Sequence, residues 1–210
     1  SNWRFHRNDD ADFERYRPDM TALPQLESGG YVQPYGDSPY DNEEIGESVY
    51  LNIFNNTTDY LYICTPYLIV DNEVINSLIL AAKKGVDVRI LTPGIADKAY
   101  VHFTSRSYYS QLIRGGVRIY EYTPGFIHSK TVVADDSVAT VGTVNLDYRS
   151  LYHHFECGVF MYDTEAVLQM KEDFIETLEV CTEITREACS RQSLFRRIGQ
   201  ALMRIVAPLM

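Results

Sequence analysis

Short apolar runs alternate with amphipathic helical stretches along most of the chain, and that alternation restricts it to a layered α/β fold. Tyr60 to Thr65 reads as a buried strand stopped by Pro66. Asn72 to Lys84 reads as a helix, with Val74, Ile75, Leu78, Ile79 and Ala82 as its apolar stripe and Gly85 as its cap. Val86 to Leu91 is a strand ended by Thr92-Pro93-Gly94. Tyr100 to Ile113 is a second helix, stopped at Gly115-Gly116, and Val117 to Tyr120 is a strand. Upstream, Ile45, Val49, Tyr50, Ile53 and Phe54 share one helical face. Downstream the pattern changes. Lys130–Ala134 and Val138–Val141 are short β-rich runs joined by Asp135-Asp136-Ser137, which reads as a hairpin. Glu156 to Tyr162 is another strand, and Thr164 to about Thr185 a long, acid-rich helix. The hairpin makes the expected sheet mixed, with helices flanking it.

The 210 residues suit one medium domain with extensions, long enough to bury a core without staples. Residues 1–28 are acidic and weakly periodic and read as an arm left from a preceding domain. Residues 29–189 form the regular part, and 190–210 a basic amphipathic helix ended by Pro208. No apolar run approaches the ~20 residues of a spanning helix. Ser1-Asn2-Trp3-Arg4 has neither an apolar signal core nor an initiator Met, so the chain reads as a piece of something longer.

The net charge of −10 weighs against a nucleic-acid partner. The charge is uneven: residues 1–50 carry eleven acids against four bases, whereas Arg186 onward carries five arginines against one Glu. The tail can therefore approach an anionic surface that the rest repels. Cys64, Cys157, Cys181 and Cys189 have no zinc-like spacing and read as free, mostly buried thiols.

The chemistry concentrates between Phe126 and Glu156. His128 and Lys130 are two apart, so on a strand both would point at one spot. A histidine beside a fixed ammonium suits a phosphodiester. The Lys binds the non-bridging oxygens, and the imidazole attacks phosphorus or protonates the leaving oxygen. Asn145, at the end of the hairpin, can donate to the same oxygens, with the Thr143 hydroxyl close by. Glu156, opening the next strand, can hold the imidazole tautomer.

Together these residues spell H-x-K-x4-D (His128, Lys130, Asp135), then G-T-x-N (Gly142, Thr143, Asn145), then a downstream carboxylate. The set resembles the signature of the phospholipase D superfamily. Ile63-Cys64-Thr65-Pro66-Tyr67, the segment Gly85-Val86-Asp87-Val88-Arg89-Ile90, Tyr108-Tyr109, the run Gly116 to Tyr122 and the terminal Ala207-Pro208-Leu209-Met210 are similar to bacterial-type cardiolipin synthases. The resemblance runs from Tyr31 onward and is closest to the C-terminal half of such an enzyme.

The resemblance implies a phospholipase D-like layered domain in which two phosphatidylglycerol molecules are joined into cardiolipin with release of glycerol. No metal, nucleotide or other cofactor is implied. Two H-x-K motifs meet in such enzymes, one histidine becoming a phosphohistidine and the other acting as acid and then base. By that analogy His128 is the acid/base, Lys130 and Asn145 hold the phosphate, Thr143 supports them, and Glu156 orients His128. Asp135, at the far end of its strand, is structural. This chain has one such motif: His6, His102, His153 and His154 have no Lys two residues on. Its implied partners are the missing N-terminal catalytic half or a second copy of itself, together with phosphatidylglycerol, cardiolipin and an anionic membrane surface. The implied location is the cytoplasmic side of a bacterial cell membrane.

Two other readings stand beside this one. A single-motif phosphodiesterase or nuclease of the same superfamily would work as a homodimer. A catalytically dead scaffold would have no reason to keep His128, Lys130, Asn145 and Glu156 together. Two features remain open. Tyr67, past a strand end, either lines a lipid headgroup site or packs in the core. The tail places Leu194, Phe195, Ile198, Ala201, Leu202, Ile205 and Val206 on one face, which either lies on an anionic bilayer or packs on another part of the enzyme.

Overall fold

The computed structural model describes residues 13–17, 19, 29–40 and 43–209. The arm expected over residues 1–28 lies outside the described residues, apart from a 3-10 turn at Phe13–Tyr16 and its neighbours.

Ten strands and seven α-helices follow along the described residues. The strands are β1 (Tyr31–Asp37), β2 (Tyr60–Cys64), β3 (Leu68–Ile69), β4 (Asp87–Pro93), β5 (Arg118–Tyr122), β6 (Thr131–Ala134), β7 (Val138–Gly142), β8 (Leu146–Asp147), β9 (Glu156–Tyr162) and β10 (Cys181–Ile184). The helices are α1 (Ile45–Asn56), α2 (Asn72–Lys83), α3 (Ala99–Arg114), α4 (Tyr148–Tyr152), α5 (Glu165–Leu178), α6 (Arg186–Ser190) and α7 (Leu194–Val206).

Eight strands form one mixed sheet in the order β1-β9-β7-β6-β2-β4-β5-β10. The pairs β2/β4 and β4/β5 are parallel and the other neighbours antiparallel, as the alternating elements and the hairpin predict. The short β3 and β8 pair in parallel beside it.

Strand alternation sorts the core into two layers. Leu61, Ile63, Val88, Ile90, Ile119 and Val132 bury with residues of α1, α2 and α3. Tyr60, Tyr62, Cys64, Leu91, Val133 and Met161 bury on the other side with Val167 and Phe174 of α5. Helices therefore cover both faces, which is why β2 is buried along its whole length.

Four strands escape the sequence reading: the two-residue β3 and β8, and β1 and β10, which form the two edges of the large sheet. β1 carries Pro34 and Gly36, which weaken a strand pattern, yet it pairs with β9 from Tyr31↔Tyr162 to Asp37↔Glu156. An edge strand tolerates a proline, which needs no outward donor. The long helix expected to reach Thr185 stops at Leu178. Cys181–Ile184 then turns back as β10 on β5, where Glu183 meets Arg118 at 3.0 Å. Tertiary pairing here outweighs a weak helical pattern.

Asp135 and Asp136 take positive φ angles of 52° and 56° at the β6–β7 turn, which suits a tight hairpin. The Asp135 carboxylate also accepts from the backbone nitrogens of Thr58, Asp59 and Tyr60 at 2.8–3.0 Å, tying the hairpin to the start of β2. Burial alone would raise its pKa; these bonds outweigh that and hold it below the ordinary value.

Candidate functional site

One rim of the sheet gathers the chemistry. There β2, β4, β5 and β7 end, and β6 and β9 begin, because Cys64 pairs with Thr131, Thr131 with Val141, Gly142 with Gly158 and Pro93 with Tyr122. Residues just past those strand ends necessarily meet there. The rim carries Tyr67 after β2, Asp97 after β4, Phe126 and His128 before β6, Thr143 and Asn145 after β7, and Glu156 at the start of β9. Asp135 sits at the opposite end of β6.

His128 and Lys130 are not within a strand. They lie in the extended stretch before β6, whose first residue is Thr131. The two side chains nevertheless meet. The Lys130 ammonium donates to the His128 carbonyl oxygen at 2.7 Å and lies 3.0 Å from Nδ1 and 3.1 Å from Nε2 of the ring. Lys130 is buried and His128 exposed. A neutral ring offers one unprotonated nitrogen to this donor; a protonated ring would turn a second cation on it. Desolvation first and Lys130 second hold the His128 pKa below its ordinary value, and Asp97 works against them. Desolvation likewise lowers Lys130, opposed by Glu156 and Asp147.

Aromatic rings wall the histidine. Phe126 stands 5.6 Å and Tyr67 6.4 Å from it, centroid to centroid. The Tyr67 hydroxyl donates to Asp97 Oδ2 at 2.5 Å. Tyr67 also lines a cavity of about 220 Å³ with Ile69, Tyr100, Asp147, Arg149 and Leu209. Tyr67 thus does both: it packs against the core beneath α1, α2 and α3 and contributes to the lining of this cavity.

The loop from Val144 to Asp147 is stapled at both ends. Tyr50 donates to the Val144 carbonyl at 2.6 Å, and the Leu146 nitrogen donates to Thr65 Oγ1 at 3.2 Å. Asp147 caps α4 by accepting from the Ser150 nitrogen. Burial first raises its pKa, opposed by hydrogen bonds from Ser150 and Asn145.

Two expected contacts are rearranged. The Asn145 amide nitrogen donates to Ser150 Oγ at 3.0 Å, and its carbonyl oxygen is buried without a partner. It is turned inward rather than toward the Lys130 ammonium. Glu156 was expected to orient His128. Its carboxylate instead accepts from the Thr143 hydroxyl and stands 3.9 Å from His154 Nδ1. The same Thr143 hydroxyl accepts from the Cys157 nitrogen, which locks the pair across the β7–β9 rim. The carboxylate acting on the His128 ring is Asp97.

Asp97 and Asp147 are the residues that sequence reasoning missed. Asp97 follows a strand end, as ligand-side residues often do, but it is thirty-one positions before the histidine and has no motif of its own. Asp147 carried a signal, since Asp147 to Ser150 has N-cap spacing. Among the described residues, no group of three or more His, Cys, Asp or Glu is arranged to hold a metal ion, and no helix is long and apolar enough to cross a membrane.

The sequence profile of the family described as "Cardiolipin synthase, PLD-like domain" matches residues 50–178. An uncharacterised protein of Streptococcus mutans is 46% identical over 95% of this chain and 43% of its own length. A cardiolipin synthase of Clostridium perfringens is 38% identical over 96% of this chain and 42% of its own. The chain thus spans less than half the length of these curated relatives. Among solved structures, the phosphatidylserine synthase of Haemophilus influenzae superposes with a TM-score of 0.63 at 18% identity, covering 85% of this chain and 45% of that one. Nuc, a phospholipase D family member from Salmonella typhimurium, superposes at 0.62 with 14% identity, covering 74% of this chain and 98% of that one. These two share the fold. With the family profile spanning the helices and strands that build the His128 rim, the chain belongs to the cardiolipin synthase PLD-like domain family of the phospholipase D superfamily.

Proposed function

We propose that this chain is the His128-bearing half of a cardiolipin synthase, acting on phosphatidylglycerol at an anionic membrane surface. The observation that carries the reading is the Lys130 ammonium held against both the ring and the carbonyl of His128 at a rim walled by Tyr67 and Phe126. A buried cation beside a neutral imidazole is a receptor for one phosphodiester anion.

A histidine of a second H-x-K motif, from further chain of the same protein or from a second copy, attacks the phosphorus of one phosphatidylglycerol. The phosphorus–oxygen bond to glycerol breaks, and the departing oxygen takes the proton held on His128. The hydroxyl of a second phosphatidylglycerol then attacks the phosphohistidine and gives its proton to His128, and the phosphorus–nitrogen bond breaks. Lys130 neutralises the non-bridging oxygens throughout. The bound phosphate offsets the Lys130 charge, so substrate raises the His128 pKa and loads the proton that the first step needs. Asn145 joins the oxygens by rotating away from Ser150. Asp97 steadies the charged ring through its position beside Tyr67.

The experiment is phosphatidyl transfer on phosphatidylglycerol vesicles by the full-length protein, with His128→Ala as the variant. The expected loss is at least about a hundredfold with the unfolding temperature unchanged. Transfer at the wild-type rate in a folded His128→Ala protein would overturn the assignment.

A further inference from the structure

The C-terminal helix α7 is mounted the wrong way round for a soluble domain. It packs on α3 through Gln200, Gly199 beside Phe103, and Arg204, which lies 4.3 Å from the Tyr108 ring and donates to Gln111 at 3.0 Å. The apolar stripe faces away: Phe195 is 87%, Ile205 75% and Leu209, just beyond the helix, 84% exposed. Burial of apolar area normally seats a surface helix, and here a polar face does so instead.

Beside that stripe, α3, α6 and α7 enclose a cavity of about 370 Å³ lined by Arg106, Arg114, Arg186, Arg197, Arg204 and Gln200. Arg106 is occupied, donating to both oxygens of Glu121 at 2.7 and 2.6 Å. Among the described residues Arg114, Arg186 and Arg197 make no ion pair, although the Glu187 carboxylate feels the Arg186 charge. Gln200 is only 6% exposed, and its amide nitrogen has no hydrogen-bond partner. An anion oxygen in the cavity is the acceptor that this donor lacks. No residue of this cavity lines the one beside His128.

The cavity and the stripe are continuous along the helix. Ala201 lines the cavity with Arg197 and Arg204, four residues before and three after it. On its other side Ala201 adjoins Ile198 and Ile205, which are exposed.

We propose that this cavity is a non-catalytic site for the phosphate of an anionic phospholipid, engaged while the α7 stripe enters the surface of the same bilayer. Forked guanidinium groups take the phosphate oxygens, and the stripe takes the glycerol and acyl region. The site anchors the domain apart from the reacting lipid. It rests on the cavity and not on the transfer reaction, so its readout is binding rather than turnover, and His128→Ala leaves it unchanged.

The test is sedimentation of the 210-residue chain with vesicles of phosphatidylcholine alone or with about 30% phosphatidylglycerol. Two variants keep the net charge: Arg114→Lys with Arg197→Lys, and Gln200→Leu. Each is expected to bind the anionic vesicles about fivefold or more weakly, because the fork or the amide donor is lost while general attraction is not. Gln200→Leu is expected to unfold no lower than wild type, since it removes an unsatisfied buried donor. Equal binding by wild type and both variants would overturn the proposal in favour of diffuse charge. Wild type that ignores phosphatidylglycerol vesicles would also overturn it. If inorganic phosphate stabilises wild type alone while vesicle binding is equal in all, the cavity takes free phosphate and the lipid source is wrong.

Discussion

The Lys130 ammonium lies 3.0 Å from Nδ1 and 3.1 Å from Nε2 of His128 and donates at 2.7 Å to the same residue's carbonyl oxygen. One side chain thus fixes the backbone of the histidine and sets the electrostatics of its ring. Two carboxylates, Glu156 and Asp147, balance that cation from the β9 and β8 side, while Asp97 acts on the ring from beyond β4.

The balance can be read by titrating His128 in the free protein. Lys130→Met removes a cation that lowers the ring, so the His128 pKa should rise toward its ordinary 6.5. Asp97→Asn removes the carboxylate that raises it, so the pKa should fall further. Histidine ring protons followed by NMR across pH 4 to 9 would give both shifts. Shifts of the same sign in the two variants would contradict the opposed roles.

Stability should carry a pH signature from a second carboxylate. Glu47 is buried, and its pKa is raised to about 7 from an ordinary 4.5. Burial is the main cause, opposed by the Tyr152 hydroxyl at 2.6 Å and reinforced by Asp71, which the same hydroxyl also contacts. A raised acid is protonated in the folded chain where the unfolded chain has already released the proton. Its contribution is therefore full below pH 4.5 and is lost as pH rises toward about 7. Glu47→Gln should flatten that part of the stability curve and unfold at a higher temperature than wild type at pH 8. An unchanged slope between pH 5 and 7 would rule the effect out.

Asp135 should prove to be a fold residue. It ties the β6–β7 turn to three successive backbone nitrogens ahead of β2 while its own backbone is left-handed. Asp135→Ala should cost about 2 kcal/mol in urea unfolding, from lost bonds and an unfavourable φ. Asp135→Asn, which keeps the local conformational preference, should cost less. Transfer activity measured well below the unfolding temperature should fall only slightly in either variant, unlike in His128→Ala.

The rim was legible because its members occupy fixed offsets from strand ends. His128 and Lys130 lie just before one hairpin, Thr143 and Asn145 just after it, and Glu156 opens the strand that pairs with it, so spacing alone gathers them. Their contacts were not legible. Glu156 could reach several groups from the start of β9, and the register Gly142↔Gly158 sets it beside Thr143. Asn145 is turned inward because Ser150, at the first turn of α4, offers it an acceptor.

Local periodicity determined the layers: apolar runs too short for helices became strands, and stripes at helical spacing became α1, α2, α3 and α5. The same periodicity marked the amphipathic tail but could not say which side it turns inward, because a stripe has no information about its partner. Only the packed structure decided that. The polar seat of Gln200 and Arg204 on α3 leaves the stripe outside. Long-range pairing likewise decided the edge strands β1 and β10 and the bond from Tyr67, the ring beside His128, to Asp97, since these join residues whose separation along the chain carries no local signal.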